Sequence, residues 1–358
     1  CEARAPNAYP KLTSVYRRLL LLVPVSAADA YLIDLFRVEG GATHDWLLHG
    51  SADEPMTADC SLPLAQREGT LLEPGETWVE PIGESSSILP YGLIHNIRRA
   101  EGADPFHVTF RYSAAEAPSA RAGVRVHLLA DTSTEVFLGR SPQVRPAEGD
   151  DRKVYDHWMP QLVVRRRGPA PLRSVFAAVH EPFRPEPFLG NVAPLALDPS
   201  QDGAVALEVH HGDFVDTIVS TPDAPPDPER RLSDGVRIQG RLGVLRRRAG
   251  RVVAAWLLDG SFLGQDDFSL TCPAPRFTGV IESATRKADG AEADAFVTSA
   301  DLPLGDALAG QWMIVTHAGG RTHAYEISRV ERDSARSIVV LRHDHGLEIT
   351  DQSTKEHY

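Results

Sequence analysis

Residues 34–50 read DLFRVEGGATHDWLLHG, an apolar-rich run, a double glycine and a second apolar-rich run. Alternation along 34–38 and 44–49 fits two extended strands, because successive side chains on a strand face opposite ways. Gly40 and Gly41 supply the backbone freedom that a hairpin turn between them needs. Upstream, the run at 15–25 is separated from that at 31–38 by SAAD, so 15–49 reads as three strands of an antiparallel meander.

The rest of the chain repeats this pattern. Short runs rich in Val, Leu, Phe, Tyr and Thr recur at 106–112, 124–130, 134–138, 161–167, 174–180, 204–210 and 214–220, with turn signals such as RRGPAPL and DPSQDG between most of them. The 28 Gly and 27 Pro interrupt every helical window. An all-β fold is predicted. At 358 residues the chain exceeds a typical single domain. The proline-rich, charged stretch TPDAPPDPERRLSDG at 221–235 cannot continue a central strand. We therefore expect a large antiparallel β-sandwich over residues 1–230 and a smaller C-terminal β-domain over 231–358. RRAG, between runs at 236–246 and 251–258, reads as a hairpin turn in the latter.

Composition also excludes function classes. A net charge of −12 argues against a nucleic-acid partner. The longest apolar run, LLLLVPV at 19–25, is far too short to span a bilayer. Cys1, Cys60 and Cys272 show no metal-site spacing and no disulfide framework. No nucleophile elbow, P-loop or dinucleotide fingerprint occurs, and no cofactor is implied. The opening CEARAPNAYP carries no initiator Met and no signal segment, as expected of a processed or truncated piece.

Three segments, YRRLLLLVPVSAADAYLIDLFRVEGGATHDWLLHG, ILPYGLIHNIRRAEG and LVVRRRGPAPLRSVFAAVHEPF, resemble the region downstream of the catalytic motif in bacterial heparinase II/III-like polysaccharide lyases. The resemblance runs from about Ala8 to the chain end and weakens after about Ser220. It implies an antiparallel β-sandwich and a small C-terminal β-domain that follow an N-terminal α/α toroid. It implies cleavage of uronic-acid polysaccharides, such as heparan sulfate or alginate, by β-elimination, in a secreted or periplasmic setting. The match covers the β part only. No toroid-forming helices and no H-x-H-x-D segment occur, so none of the family's catalytic residues transfers to a position here. The expected partners are an acidic polysaccharide, bound weakly or through a parent protein, and a toroid outside this sequence. The alternative is a carbohydrate-binding or structural β-sandwich module without chemistry of its own.

Candidate site residues follow from side-chain chemistry. His44 and His49 either perform acid–base work on a carboxylated sugar or satisfy partners where a strand meets a loop. Trp46 and Trp78, together with Trp158 and Trp312, offer aromatic faces for a pyranose ring or else fill the core. Arg37 and the triplets 165–167 and 246–248 can pair with carboxylate or sulfate, or line solvated strand faces. His343 and His345 have H-x-H spacing, and His211 with Asp213 alternates along a strand; both pairs are weak candidates for a metal, with exposed strand-end residues as the other reading. We expect no tightly bound zinc.

Overall fold

The strand Ala30–Gly40 explains the architecture, because it is buried on nearly every residue and therefore on both faces. The computed structural model describes residues 1–5, 7–77, 90–102, 104–113, 121–130, 134–143, 145–147, 151–222, 228–350 and 353–356. Within them the fold is all-β, and the helical pieces are 3-10 turns of three to six residues.

Two compact units form, residues 1–273 and 274–358. In the first, three antiparallel sheets stack. Ala30–Gly40 lies in the central seven-stranded sheet, between Thr13–Pro24 and Arg173–Phe183. One face, with Phe36, Val38 and Phe176, packs against Trp46, Val136, Leu138, Leu162 and Val164 of a five-stranded sheet. The other, with Tyr31, Ile33, Leu35 and Val179, packs against Leu207, Val209, Ile218 and Val244 of an eight-stranded sheet. A strand covered on both faces reads as a near-continuous apolar run, which is what YLIDLF is.

The expected meander therefore holds for two strands and not for the third. Thr13–Pro24 pairs with Ala30–Gly40, but Thr43–His49 crosses to the five-stranded sheet and pairs with Trp158–Arg167. Both edges of Ala30–Gly40 are already taken, so the chain has no place to fold back. Gly40 and Gly41 form the corner, with φ of 128° and 58°. A Cβ at Gly40 would stand 2.0 Å from the Leu12 carbonyl oxygen, so only glycine fits there.

The division expected near residue 230 falls inside the eight-stranded sheet. Arg230–Leu232, Arg237–Arg248, Arg251–Gln265 and Phe268–Thr271 all belong to it, and the units divide at Pro273/Ala274. Strands of one sheet flank the proline-rich stretch, and Thr221 N–H bonds the Arg241 carbonyl. The RRAG hairpin forms as read, with Ala249 and Gly250 at positive φ. The second unit is a five-stranded sheet around Phe296, Ile327, Val330, Val339 and Leu341, plus the hairpin Leu347–Thr350 and Ser353–Glu356.

Candidate functional site

The outer face of the five-stranded sheet carries a cleft of about 810 Å³. Strand alternation builds it. Register sets Asp45 opposite Arg165, Arg165 opposite Glu135, and Glu135 opposite Glu101, all on the face away from the core. Phe137 and Arg99 form the next row. Arg67, Leu72, Glu73 and Pro74 close one side.

Two kinds of ion pair occupy it. Arg165 grips Asp45 with Nε to Oδ1 at 2.8 Å and Nη2 to Oδ2 at 2.7 Å, and its guanidinium lies over the rings of Tyr91 and Phe137. Their side chains are 4% and 9% exposed, so this pair is fixed in the wall. The Tyr91 hydroxyl donates to the same carboxylate. Burial, and then the Asp45 charge, pushes the Tyr91 phenol above its usual range, so it stays protonated.

Arg167 instead binds Glu73 in the open, Nη2 to Oε1 at 2.8 Å and Nη1 to Oε2 at 3.3 Å, with 44% and 45% of the two side chains exposed. The hydrogen bonds from Arg167 hold the Glu73 carboxyl below its usual range. Arg165 adds a third nitrogen 3.7 Å away. Arg99 binds Glu135, Nη2 to Oε1 at 2.6 Å. Arginines 67, 99, 165 and 167 thus face carboxylates 45, 73, 101 and 135, and the cleft is close to neutral.

The residues singled out from the sequence are dispersed. Trp46 is buried between sheets and donates Nε1–H to Asp34 at 3.2 Å, so no sugar ring reaches its faces. Arg37 lies on the opposite face of the central sheet, bonded to Gly203 and Ser220. His44 is buried, with Nδ1 2.8 Å from Ser174 Oγ and Nε2 2.5 Å from the Gly40 carbonyl. His49 is exposed, with Nδ1 2.6 Å from the adjacent Gly50 carbonyl. Trp78 lies outside the described residues. Trp158 packs edge-on against His95, and Trp312 is exposed in the second unit.

The H-x-H pair splits. His343 is exposed, whereas His345 is buried with Nε2 3.0 Å from the Thr285 carbonyl and Nδ1 accepting from Leu347 N–H, which leaves neither nitrogen for a metal. His211 turns inward to Asp216 while Asp213 pairs with Arg248, so these two cannot share an ion. Among the described residues no three His, Cys, Asp or Glu side chains converge as metal ligands.

Two features went unread. Asp34 gathers Arg18, Trp46 and His180 from three different strands, and its sequence signal is a carboxylate inside the apolar run LIDLF. Glu73 and Tyr91 lie off the strands, where no periodicity points to them.

These placements give opposite expectations for the two histidines. His44→Ala removes a ring with two buried partners and is expected to cost about 1–3 kcal/mol, read as a lowered urea midpoint. His49→Ala should stay within about 0.5 kcal/mol. A larger loss at His49 than at His44 would contradict the geometry.

Set against known protein families and curated proteins, the chain matches none.

Proposed function

We propose that this chain is the β-sheet portion of a heparinase II/III-like lyase and holds a uronic-acid polysaccharide in the cleft over the five-stranded sheet. One observation carries the reading: the Glu73 carboxylate sits in an arginine fork between Arg167 and Arg165, the chemistry a uronate carboxylate requires. The Arg167–Glu73 pair is half-exposed, and pairs of that kind contribute about 0–1 kcal/mol. A substrate carboxylate can therefore replace Glu73 at little cost, with Tyr91 and Phe137 set between the arginines.

Among the described residues the cleft supplies binding groups and no base for β-elimination. Its arginines stay protonated, its carboxylates are paired to them, and Tyr91 is held protonated beside Asp45. On this reading the proton transfers belong to a helical toroid outside this sequence, and the setting is secreted or periplasmic. A binding module without chemistry of its own would use the same cleft.

Affinity electrophoresis in heparin, heparan sulfate, chondroitin or alginate tests the site. Because Glu73 competes with the ligand, Glu73→Gln is expected to strengthen retardation by roughly three- to tenfold, and Arg167→Ala to weaken it by a similar factor. Ultraviolet absorbance should show no unsaturated uronate from the chain by itself. Equal retardation of both variants and the natural chain on every polymer would remove the cleft as the binding site.

A further inference from the structure

Arg37 and Arg17 are cross-strand neighbours of the central sheet, and both point toward the eight-stranded sheet. Arg37 is 4% exposed and Arg17 8%. Arg37 Nε donates to the Gly203 carbonyl at 2.7 Å, and Arg17 Nη1 donates to the Pro222 carbonyl at 3.3 Å. Gly203 and Pro222 touch each other, since a Cβ at Gly203 would lie 3.6 Å from Pro222 Cγ. The two guanidinium groups therefore end at one place. Arg241 joins them through Glu2, which it shares with Arg17.

The charges there do not balance. Among the described residues the buried guanidinium groups of Arg17 and Arg37 and the half-buried one of Arg241 face two carboxylates, Glu2 and Asp259. Among the described residues Arg37 Nη1 and Arg17 Nη2 are buried and have no hydrogen-bond partner. Burial, then the charge of Arg17, pushes the Arg37 guanidinium down to about 10, the direction an excess of positive charge produces. A buried donor on a charged group without an acceptor is costly, and a bound anion would satisfy both nitrogens and neutralise the excess at once.

We propose that Arg17 and Arg37 form an internal binding site for a small monovalent inorganic anion of the chloride class. The enclosure rules out a polysaccharide sulfate or uronate, so this site is separate from the cleft and stands whatever the cleft binds. Its role is to complete the contact between the central and eight-stranded sheets.

The test is thermal unfolding of the whole chain at constant ionic strength, with sodium chloride replacing sodium gluconate, whose anion is too large to enter. Chloride is expected to raise the melting midpoint saturably, as a ligand of the folded state does. Arg37→Lys and Arg17→Lys keep the charge but lose the unpaired nitrogen. Each should shift the half-saturating chloride concentration upward by roughly tenfold, an effect of about 1.4 kcal/mol. Should either variant fold poorly, bromide soaked into crystals of the natural chain should give an anomalous peak between the two guanidinium groups. Equal midpoints in chloride and gluconate would overturn the proposal, as would an unchanged response in both variants or a bromide-free site.

Discussion

Asp216→Ala is expected to cost about 3–5 kcal/mol at neutral pH, because it strands three donors built around one carboxylate. Asp216 is fully buried between the central and eight-stranded sheets. Arg246 holds it bidentately, Nε to Oδ1 and Nη2 to Oδ2 both at 2.7 Å. The Tyr31 hydroxyl donates to it at 2.7 Å, and His211 Nε2 lies 3.0 Å away. Tyr31 and His211 are themselves buried, so neither finds water when the carboxylate goes.

The same contacts make the loss depend on pH. Burial opposes ionisation of Asp216, but the hydrogen bonds from Arg246, His211 and Tyr31 prevail and bring it down to about 2. A carboxyl with a depressed folded-state value stabilises the fold above its unfolded value near 4 and loses that contribution as pH falls toward 2. The stability gap between natural chain and variant, from urea midpoints, should therefore narrow by about 2 kcal/mol between about pH 6 and about pH 2.5. A gap that is constant over this range would mean that Asp216 ionises no more readily in the fold than in the unfolded chain.

Asp216 also shows what the sequence can carry. A carboxylate inside FVDTIVS, like Asp34 inside LIDLF, marks a place where the interior must supply cations, and both do collect an arginine and a histidine. Strand positions were legible because alternation is local. Which sheet a strand joins was not, since Gly40-Gly41 serves a hairpin and a corner equally well, and only the occupied edges of Ala30–Gly40 decide between them. The arginine triplet 165–167 divides by the same alternation. Arg166 points inward over Phe176, while Arg165 and Arg167 face the cleft. The partner that makes Arg167 a candidate ligand, Glu73, comes from an irregular segment nearly a hundred residues away in sequence and could not be paired with it in advance.

Asp45→Ala should prove nearly as damaging as Asp216→Ala, at about 3–5 kcal/mol, and for a reason that separates wall from ligand site in the cleft. Arg165 is 4% exposed and packed over two rings, so without Asp45 its buried charge keeps only the 3.7 Å approach of Glu73. Arg165→Met alone strands the Asp45 carboxylate and should be comparably costly. Replacing both, Asp45→Leu with Arg165→Met, removes the desolvated pair outright and fills similar volume with apolar groups. That double variant is expected within about 1–2 kcal/mol of the natural chain, so the cycle should return a coupling of several kcal/mol. Arg167 and Glu73 remain in place but the fork loses its Arg165 arm, so glycan retardation per folded molecule should weaken by a few-fold without being lost. Single losses that simply add in the double variant would show that Asp45 and Arg165 are not a unit. A stable double variant that no longer binds glycan would instead make Arg165 the residue that grips the uronate, and Arg167 its neighbour.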